Sequence, residues 1–257
     1  MQTEQQSLRA AAGQRFWQID ALRGLALLNM LAYHAMYDWV YVFGHESSWY
    51  NIWAPGCHVW QQYICWSFIL LSGFSFPLAK RPAKNGLIVA GCAAVLTFVT
   101  AVFMPSEAIW FGVLHLNAAA VLLTCLVYPL LQRLPAGACL AASAALFALT
   151  NQLPEGYLGF ENWRLCAVPA GLYRANLFWL GLPALTRFTS ADSFPVVPWV
   201  FLFWCGVFLA RLWCPDRGEP PAALRPLCAI GRNTLLVYML HQPVIYGALW
   251  VWHTVLG

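Results

Sequence analysis

What this sequence lacks most is charge. Of its 257 residues, only 9% are Asp, Glu, Lys or Arg, whereas 61% are hydrophobic. A soluble domain normally carries about 25% charged residues, so this chain has too few to cover a water-facing surface. The formal net charge of +4 gives no indication of a nucleic-acid partner. We therefore predict an all-α protein, a polytopic transmembrane helical bundle surrounded by membrane lipids.

The sequence also lacks a recognisable metal-binding motif. Its nine Cys residues stand singly in the chain without a C-x-x-C pair, which is typical of small buried hydrophobic residues. His45 and His58 lie in one predicted loop, but their spacing matches no established ligand motif. We therefore expect no metal ion.

Long apolar runs, in contrast, are plentiful. A helix needs about 20 predominantly apolar residues to cross a bilayer. A single transmembrane domain is predicted over 1–257, with a polar segment at 1–15 and a long extracytoplasmic or re-entrant connection at 154–193. The connection contains an apolar stretch, 166–185, that leaves an eighth span open as an alternative. About seven spans are predicted, at 19–43, 58–79, 86–104, 108–131, 136–153, 194–214 and 229–255.

The placement of Lys and Arg predicts the orientation. Cytoplasmic connections of membrane proteins carry an excess of these residues. Only Arg164, Arg174 and Arg187 fall on one side of the predicted spans. The N-terminus is therefore predicted to be cytoplasmic. The other basic residues fall at the start of the chain or in alternate connections, namely Arg9, Arg15, Arg23, Lys80, Arg81, Lys84, Arg133, Arg211, Arg217, Arg225 and Arg232.

Two titratable residues stand inside the first predicted span. His34 and Asp38 are four residues apart, so they lie on the same face of a helix. Ionisable groups within a span are costly and usually have a partner or a function. A hydrogen bond from the imidazole to the carboxylate would fix the tautomer of His34 and make it a general base. The alternative is a structural His–Asp bond that holds helices together.

Charged residues mark the cytoplasmic end of the same span. Arg23 lies eleven residues before His34, which corresponds to roughly 16 Å along a helix. It is predicted to bind phosphate, held in place by Asp20, and an equally weighted alternative is that it extends to lipid phosphates. Lys80 and Arg81 at the end of the second span would serve either anionic lipid or a polyanionic cofactor.

The seventh span repeats the layout of the first. Arg232 lies at its cytoplasmic end and His241 nine residues later, roughly 14 Å further along the helix. His115 near the outer end of the fourth span is either a packing residue or a wall of the same pocket. Two helices with a cation at one end and a histidine deeper in would suit a long ligand with an anionic head. Acyl-CoA is such a ligand, and a quinone or a lipid head group is an alternative.

Four motifs carry a resemblance to a known family. They are "RFWQIDALRGLALLNMLAYHAMYD" at 15–38, "FGVLH" at 111–115, "TSADSFPVVPW" at 189–199 and "IGRNTLLVYMLHQPV" at 230–244. They resemble the short bacterial members of the heparan-alpha-glucosaminide N-acetyltransferase family. The spacing of Arg23 and His34 also resembles the motif of related membrane acyltransferases that O-acylate bacterial polysaccharides. The resemblance implies a bacterial inner-membrane enzyme that passes an acyl group, usually acetyl, from cytoplasmic CoA to a sugar hydroxyl or amine outside.

The resemblance gives two candidates for the reactive histidine. In the polysaccharide acyltransferases the matching residue is His34, and in the lysosomal enzyme it is a later, lumen-side histidine that falls on His45. Asp38 beside it favours His34, and His45 is kept as an acceptor-side alternative. Arg23 and Arg232 are expected to hold the CoA phosphates, and His115 and His241 to line the pocket and stabilise an oxyanion.

The predicted function is therefore an acetyl-CoA-dependent transmembrane acyltransferase that modifies a glycan or another small acceptor. Acetyl-CoA enters as a co-substrate. Two other classes stay open: a transporter or channel with an intramembrane histidine relay, and a haem or quinone redox protein with paired axial histidines. The acceptor, the acyl chain and a homo-oligomeric state are left open by the sequence.

Overall fold

A computed structural model describes residues 16–213, 215 and 218–256, with the side chain of residue 256 left out. The polar segment 1–15 with Arg9 and Arg15, and also Arg217, lie outside the described residues. The chain divides into two compact units. The His34 unit holds the described residues of 15–71 and 215–257, and the His115 unit holds those of 72–214.

Helices dominate both units, as predicted. The helices are α1 (Trp17–Tyr37), α2 (Pro55–Ser75), α3 (Pro82–Phe103), α4 (Val113–Leu131), α5 (Ala136–Thr150), α6 (Val196–Leu212), α7 (Arg225–Arg232) and α8 (Thr234–Leu256). All seven predicted spans are mainly helical, although the seventh is divided at Asn233 into α7 and α8. The all-α prediction is confirmed.

Four helices among the described residues are long and apolar enough to cross a membrane. They are Pro82–Phe103, Val113–Leu131, Ala136–Glu155 and Thr234–Val255. Val196–Leu212 is a shorter apolar helix. The chain is thus an all-α polytopic membrane protein, and the count of seven spans stays a prediction.

The connection 154–193 is fully described and contains no long helix. It opens with an antiparallel hairpin of β1 (Tyr157–Phe160) and β2 (Trp163–Ala167), which sequence reasoning missed. Short 3-10 turns at Ala170–Ala175 and Phe178–Leu180 follow. Proline and arginine residues interrupt the apolar stretch 166–185, and the structure shows turns there rather than a spanning helix.

The core of the His34 unit lies along α1. Leu27 is fully buried, and Met30 and Ile64 are at least 94% buried beside it. The residues packed against this core come from α1, α2, α7 and α8, namely Leu31, Tyr33, Trp60, Phe68, Ile230, Val237 and Tyr238.

Two glycines let α7 approach the backbone of α1. A Cβ on Gly24 would lie 2.1 Å from the carbonyl oxygen of Leu227, and one on Gly231 would lie 1.8 Å from that of Asp20. Small residues at helix contacts allow such close packing in membrane proteins. The approach fixes the N-terminal part of α1 against α7.

The core of the His115 unit is built around α6. Phe203 and Val207 are fully buried, and the indole Nε1 of Trp204 donates a 3.0 Å hydrogen bond to the hydroxyl of Thr124 in α4. Arg211, 8% exposed, donates from its guanidinium to the carbonyl oxygens of Leu131 and Leu134 at 3.0 and 2.9 Å. This side chain therefore closes the C-terminal end of α4, where helix carbonyls lack partners.

The segment before α6 docks onto the residues that precede α4. The amides of Ala191 and Phe194 donate to the carbonyls of Ala108 and Phe111 at 3.2 and 2.8 Å. The carboxylate of Asp192 accepts a 3.3 Å hydrogen bond from the amide of Val113, the first residue of α4. Asp192 thus caps α4 from a distant part of the chain.

Candidate active site

The His34 unit brings two imidazoles together. The ring centroids of His34 in α1 and His241 in α8 lie 4.9 Å apart, with the ring planes at 56°. Sequence reasoning put both residues in the site but at unknown separation, because they stand more than 200 positions apart in the chain. α1 and α8 therefore bring two imidazole rings close together.

The backbone sets the tautomer of His241. Its Nδ1 makes a short hydrogen bond with the carbonyl oxygen of Tyr238. A carbonyl only accepts, so Nδ1 carries the proton and Nε2 keeps its lone pair. An imidazole held in this way has the form that a general base requires.

Asp38 contacts a different partner from the one predicted. Its carboxylate is 1% exposed, and both its oxygens accept from Nε2 of Gln242, at 2.9 and 3.0 Å. The predicted hydrogen bond from His34 to Asp38 is therefore wrong. Asp38 begins a π-helical turn, Asp38–Val42, directly after α1. The four-residue spacing therefore does not predict its contacts, and it gives no sign of the amide that α8 supplies.

Asp20 forms ion pairs with two arginines where α1 packs against α7. The Arg232 Nε lies 3.2 Å from Asp20 Oδ2, and the Arg23 guanidinium lies 4.0 Å from Oδ1. Asp20 is 5% exposed. The predicted contact between Asp20 and Arg23 is present, and Arg232 adds a second and shorter ion pair.

A small cavity adjoins this cluster. Its volume is about 340 Å³, and Arg232, Arg225, Glu219 and Pro220 line it. Arg225 also forms an ion pair with Glu219 at 3.5 Å, with both side chains largely exposed. From the sequence, Arg225 was counted only as a charge on the predicted cytoplasmic side; the structure shows it as the first residue of α7.

The loop between α1 and α2 places His45 among aromatic rings. It stacks on Trp39 at 4.0 Å between centroids, and Trp252 and His253 each lie 5.5 Å away. Its Nε2 is buried and has no hydrogen-bonding partner within the described part of the chain. Sequence reasoning missed His253, which lies twelve residues after His241 on α8.

The remaining predicted residues belong to the His115 unit. Nε2 of His115 lies 3.1 Å from the hydroxyl of Thr97, which itself donates to the carbonyl of Ile109 at 2.7 Å. Because that hydroxyl proton is committed, Nε2 of His115 is the donor and Nδ1 holds the lone pair. Lys80 and Arg81 are exposed residues between α2 and α3.

Comparison with known proteins gives one family. The family described as "Heparan-alpha-glucosaminide N-acetyltransferase, catalytic" matches residues 15–243, which includes all ten predicted site residues. The chain belongs to this family. No match was found among curated proteins or among solved structures.

Membership of the heparan-alpha-glucosaminide N-acetyltransferase family indicates an acetyltransferase activity. It also implies an acyl donor and a small acceptor. The matched range contains His34, Asp38 and His241 and ends just after Gln242. His253 lies beyond it, so of the two rings in the His45–His253 contact only His45 falls within the matched range.

Proposed function

We propose that the protein is a transmembrane acyltransferase that moves an acetyl group from cytoplasmic acetyl-CoA to a sugar hydroxyl or amine on the extracytoplasmic side of a bacterial inner membrane. The observation that carries the proposal is the His34–His241 pair, with an Nε2 lone pair on His241. Family membership supplies the reaction class.

The basic cluster fits the anionic end of the donor. Arg23 and Arg232 flank Asp20, and Arg225 lines the adjoining cavity. A guanidinium group matches phosphate geometry in a bidentate manner. In this proposal Asp20 holds both arginines in place, and the CoA phosphates bind to their guanidinium groups. Lys80 and Arg81 belong to the His115 unit and stay predicted as residues for a polyanionic cofactor.

The distance from the cluster to the imidazoles suits an extended ligand. Along α1, Arg23 and His34 are separated by about 16 Å. Arg232 ends α7 and His241 lies in α8, nine residues later and across the break at Asn233. The pantetheine arm would follow these helices and bring the thioester to the imidazoles. His115 belongs to the other unit, and its role in stabilising an oxyanion stays a proposal from the sequence.

The chemistry needs one base. An imidazole Nε2 takes the proton from the acceptor hydroxyl or amine as its oxygen or nitrogen bonds to the acetyl carbon. The carbon–sulfur bond breaks, and the CoA thiolate leaves and receives a proton. In the alternative route His34 carries the acetyl group before the acceptor takes it. His45 is the alternative base on the acceptor side.

The direct test is acetyl transfer by the reconstituted protein. Proteoliposomes would receive radiolabelled acetyl-CoA on one side and an amino-sugar acceptor on the other. We expect labelled acceptor with wild type and at least 100-fold less with His34→Ala. Uptake of a solute without any dependence on CoA would instead support a transporter.

A further inference from the structure

The amide of Gln242 has a fixed orientation. A carboxylate only accepts hydrogen bonds, so the atom of Gln242 that faces Asp38 is the donor Nε2. It lies 2.9 and 3.0 Å from the two carboxylate oxygens. Because Asp38 is 1% exposed, water does not compete for this contact. Asp38 therefore prevents the amide from turning over.

The other end of the same amide is unpaired. Oε1 of Gln242 is buried and has no hydrogen-bonding partner among the described residues. Leaving a buried acceptor unpaired is unfavourable, because the group has lost its water without gaining a partner. Native proteins keep few such groups, and each one calls for an explanation such as a ligand or water that pairs with it.

The unpaired oxygen belongs to the imidazole site. Gln242 follows His241 directly in α8, and its partner Asp38 lies one turn after His34. Gln242 is thus joined to the imidazole pair from both sides, by the chain to His241 and by its hydrogen bond to Asp38 after α1. Neither α1 nor α8 supplies a donor to Oε1 from its described side chains.

We propose that Gln242 Oε1, locked by Asp38, accepts a hydrogen bond from an O–H or N–H group of the substrate and makes Gln242 a specificity-determining residue. This inference rests on the proposed acetyltransferase function. The donor group belongs either to the hydroxyl or amine of the acceptor or to an amide N–H of the pantetheine arm. A site built to pair with such a group discriminates strongly against analogues that lack it.

Gln242→Met tests the proposal, because Met has a similar length but no acceptor oxygen. The purified full chain in detergent would be assayed with radiolabelled acetyl-CoA and glucosamine as the probe substrates. We expect the KM of one substrate to rise roughly 5- to 100-fold, with the KM of the other changed less than twofold. A rise for glucosamine assigns the donor group to the acceptor, and a rise for acetyl-CoA assigns it to the pantetheine arm.

A matched control uses an amide of α1 that also forms a hydrogen bond to a neighbouring helix. Asn29 donates to the carbonyl of Leu25 and accepts from the indole of Trp60, each at 2.9 Å, so both its ends are paired. Asn29→Leu is expected to lower the thermal unfolding temperature and leave both KM values unchanged. This separates a substrate contact from a contribution to stability.

If Gln242→Met does not fold, the double variant Asp38→Asn with Gln242→Glu tests the proposal instead. The new Asn amide would donate to one Glu oxygen, and the second Glu oxygen would replace Oε1. We expect KM values within about threefold of wild type for this pair, and a larger rise for Gln242→Glu alone because two buried carboxylates repel. Unrescued KM values in the double variant would overturn the proposal.

The outcomes separate the two claims. If wild type transfers acetyl and Gln242→Met leaves both KM values within twofold, Gln242 is not a substrate contact and the proposed function stands. If wild type neither binds acetyl-CoA nor transfers label to the probe, the proposed function fails and this proposal fails with it.

Discussion

Gly231→Ala is expected to separate α7 from α1. The added Cβ would lie 1.8 Å from the carbonyl oxygen of Asp20 and 2.8 Å from the amide nitrogen of Gly24. Non-bonded atoms prefer a separation of about 3.5 Å, so the helices would have to move apart by roughly 1.5 Å. Both obstructing atoms belong to backbone, which cannot rotate away as a side chain can.

This movement would disrupt the cluster at Asp20. The Arg232–Asp20 contact, now 3.2 Å, would lengthen beyond hydrogen-bonding distance. Overpacking of this kind costs about 1–3 kcal/mol of stability. Because Arg232 is proposed to bind the CoA phosphates, we expect the KM of acetyl-CoA to rise about tenfold, which corresponds to about 1.4 kcal/mol. Initial rates against acetyl-CoA concentration and thermal unfolding in detergent measure both effects.

Gly247→Ala is the matched control. Gly247 lies within α8, and a Cβ there would have no atom within 4 Å. Alanine is preferred to glycine inside a helix by about 0.5–1 kcal/mol, so stability should be unchanged or slightly higher. If Gly231→Ala and Gly247→Ala gave the same unfolding temperature and the same KM, the reasoning about the close approach of α7 and α1 would be refuted.

Two further predictions concern the His115 unit. Burial raises the pKa of Asp192 from 3.8 to about 6, against a smaller opposing effect of the Val113 hydrogen bond. The folded pKa is the higher one, so the stability from this group is complete below about pH 4 and is lost as pH rises through 6. Thermal unfolding measured from pH 4.5 to 7.5 should show the unfolding temperature of wild type falling relative to that of Asp192→Asn. The same pH dependence in both proteins would contradict this. Arg211→Lys should cost about 1–3 kcal/mol in chemical unfolding, because Lys cannot reach the carbonyls of Leu131 and Leu134 together, and an unchanged midpoint would show that these contacts are not needed.

The helices could be predicted because apolar length is a local property. Each predicted span is mainly helical, and the runs around Leu27 and Phe203 are buried as their composition suggests. The hairpin at 157–167 was missed because its strands are only four and five residues long and are surrounded by prolines and glycines. Short strands give too little alternation to be recognised.

The site could be predicted in its residues but not in its pairings. His34, Asp20 and Arg23 were identifiable because ionisable residues in apolar runs are rare. The contact between Asp38 and Gln242 joins residues 204 positions apart, which no local spacing encodes. The same holds for the proximity of His34 and His241.

The glycine contacts had a usable signal. Gly24 and Gly231 each stand beside an arginine at the predicted inner boundary, and small residues at helix ends often mark close packing. The sequence did not indicate which helix each glycine would meet.

The central claim is that the His34–His241 pair takes the proton of the acceptor. The most direct measurement is the rate of label transfer from radiolabelled acetyl-CoA to glucosamine for His34→Ala, His241→Ala and His45→Ala, each with acetyl-CoA binding checked separately. We expect a loss of at least 100-fold in kcat for the first two, with acetyl-CoA still bound, and of less than about tenfold for His45→Ala. A large loss in His45→Ala together with near wild-type kcat in His34→Ala and His241→Ala would contradict the central claim.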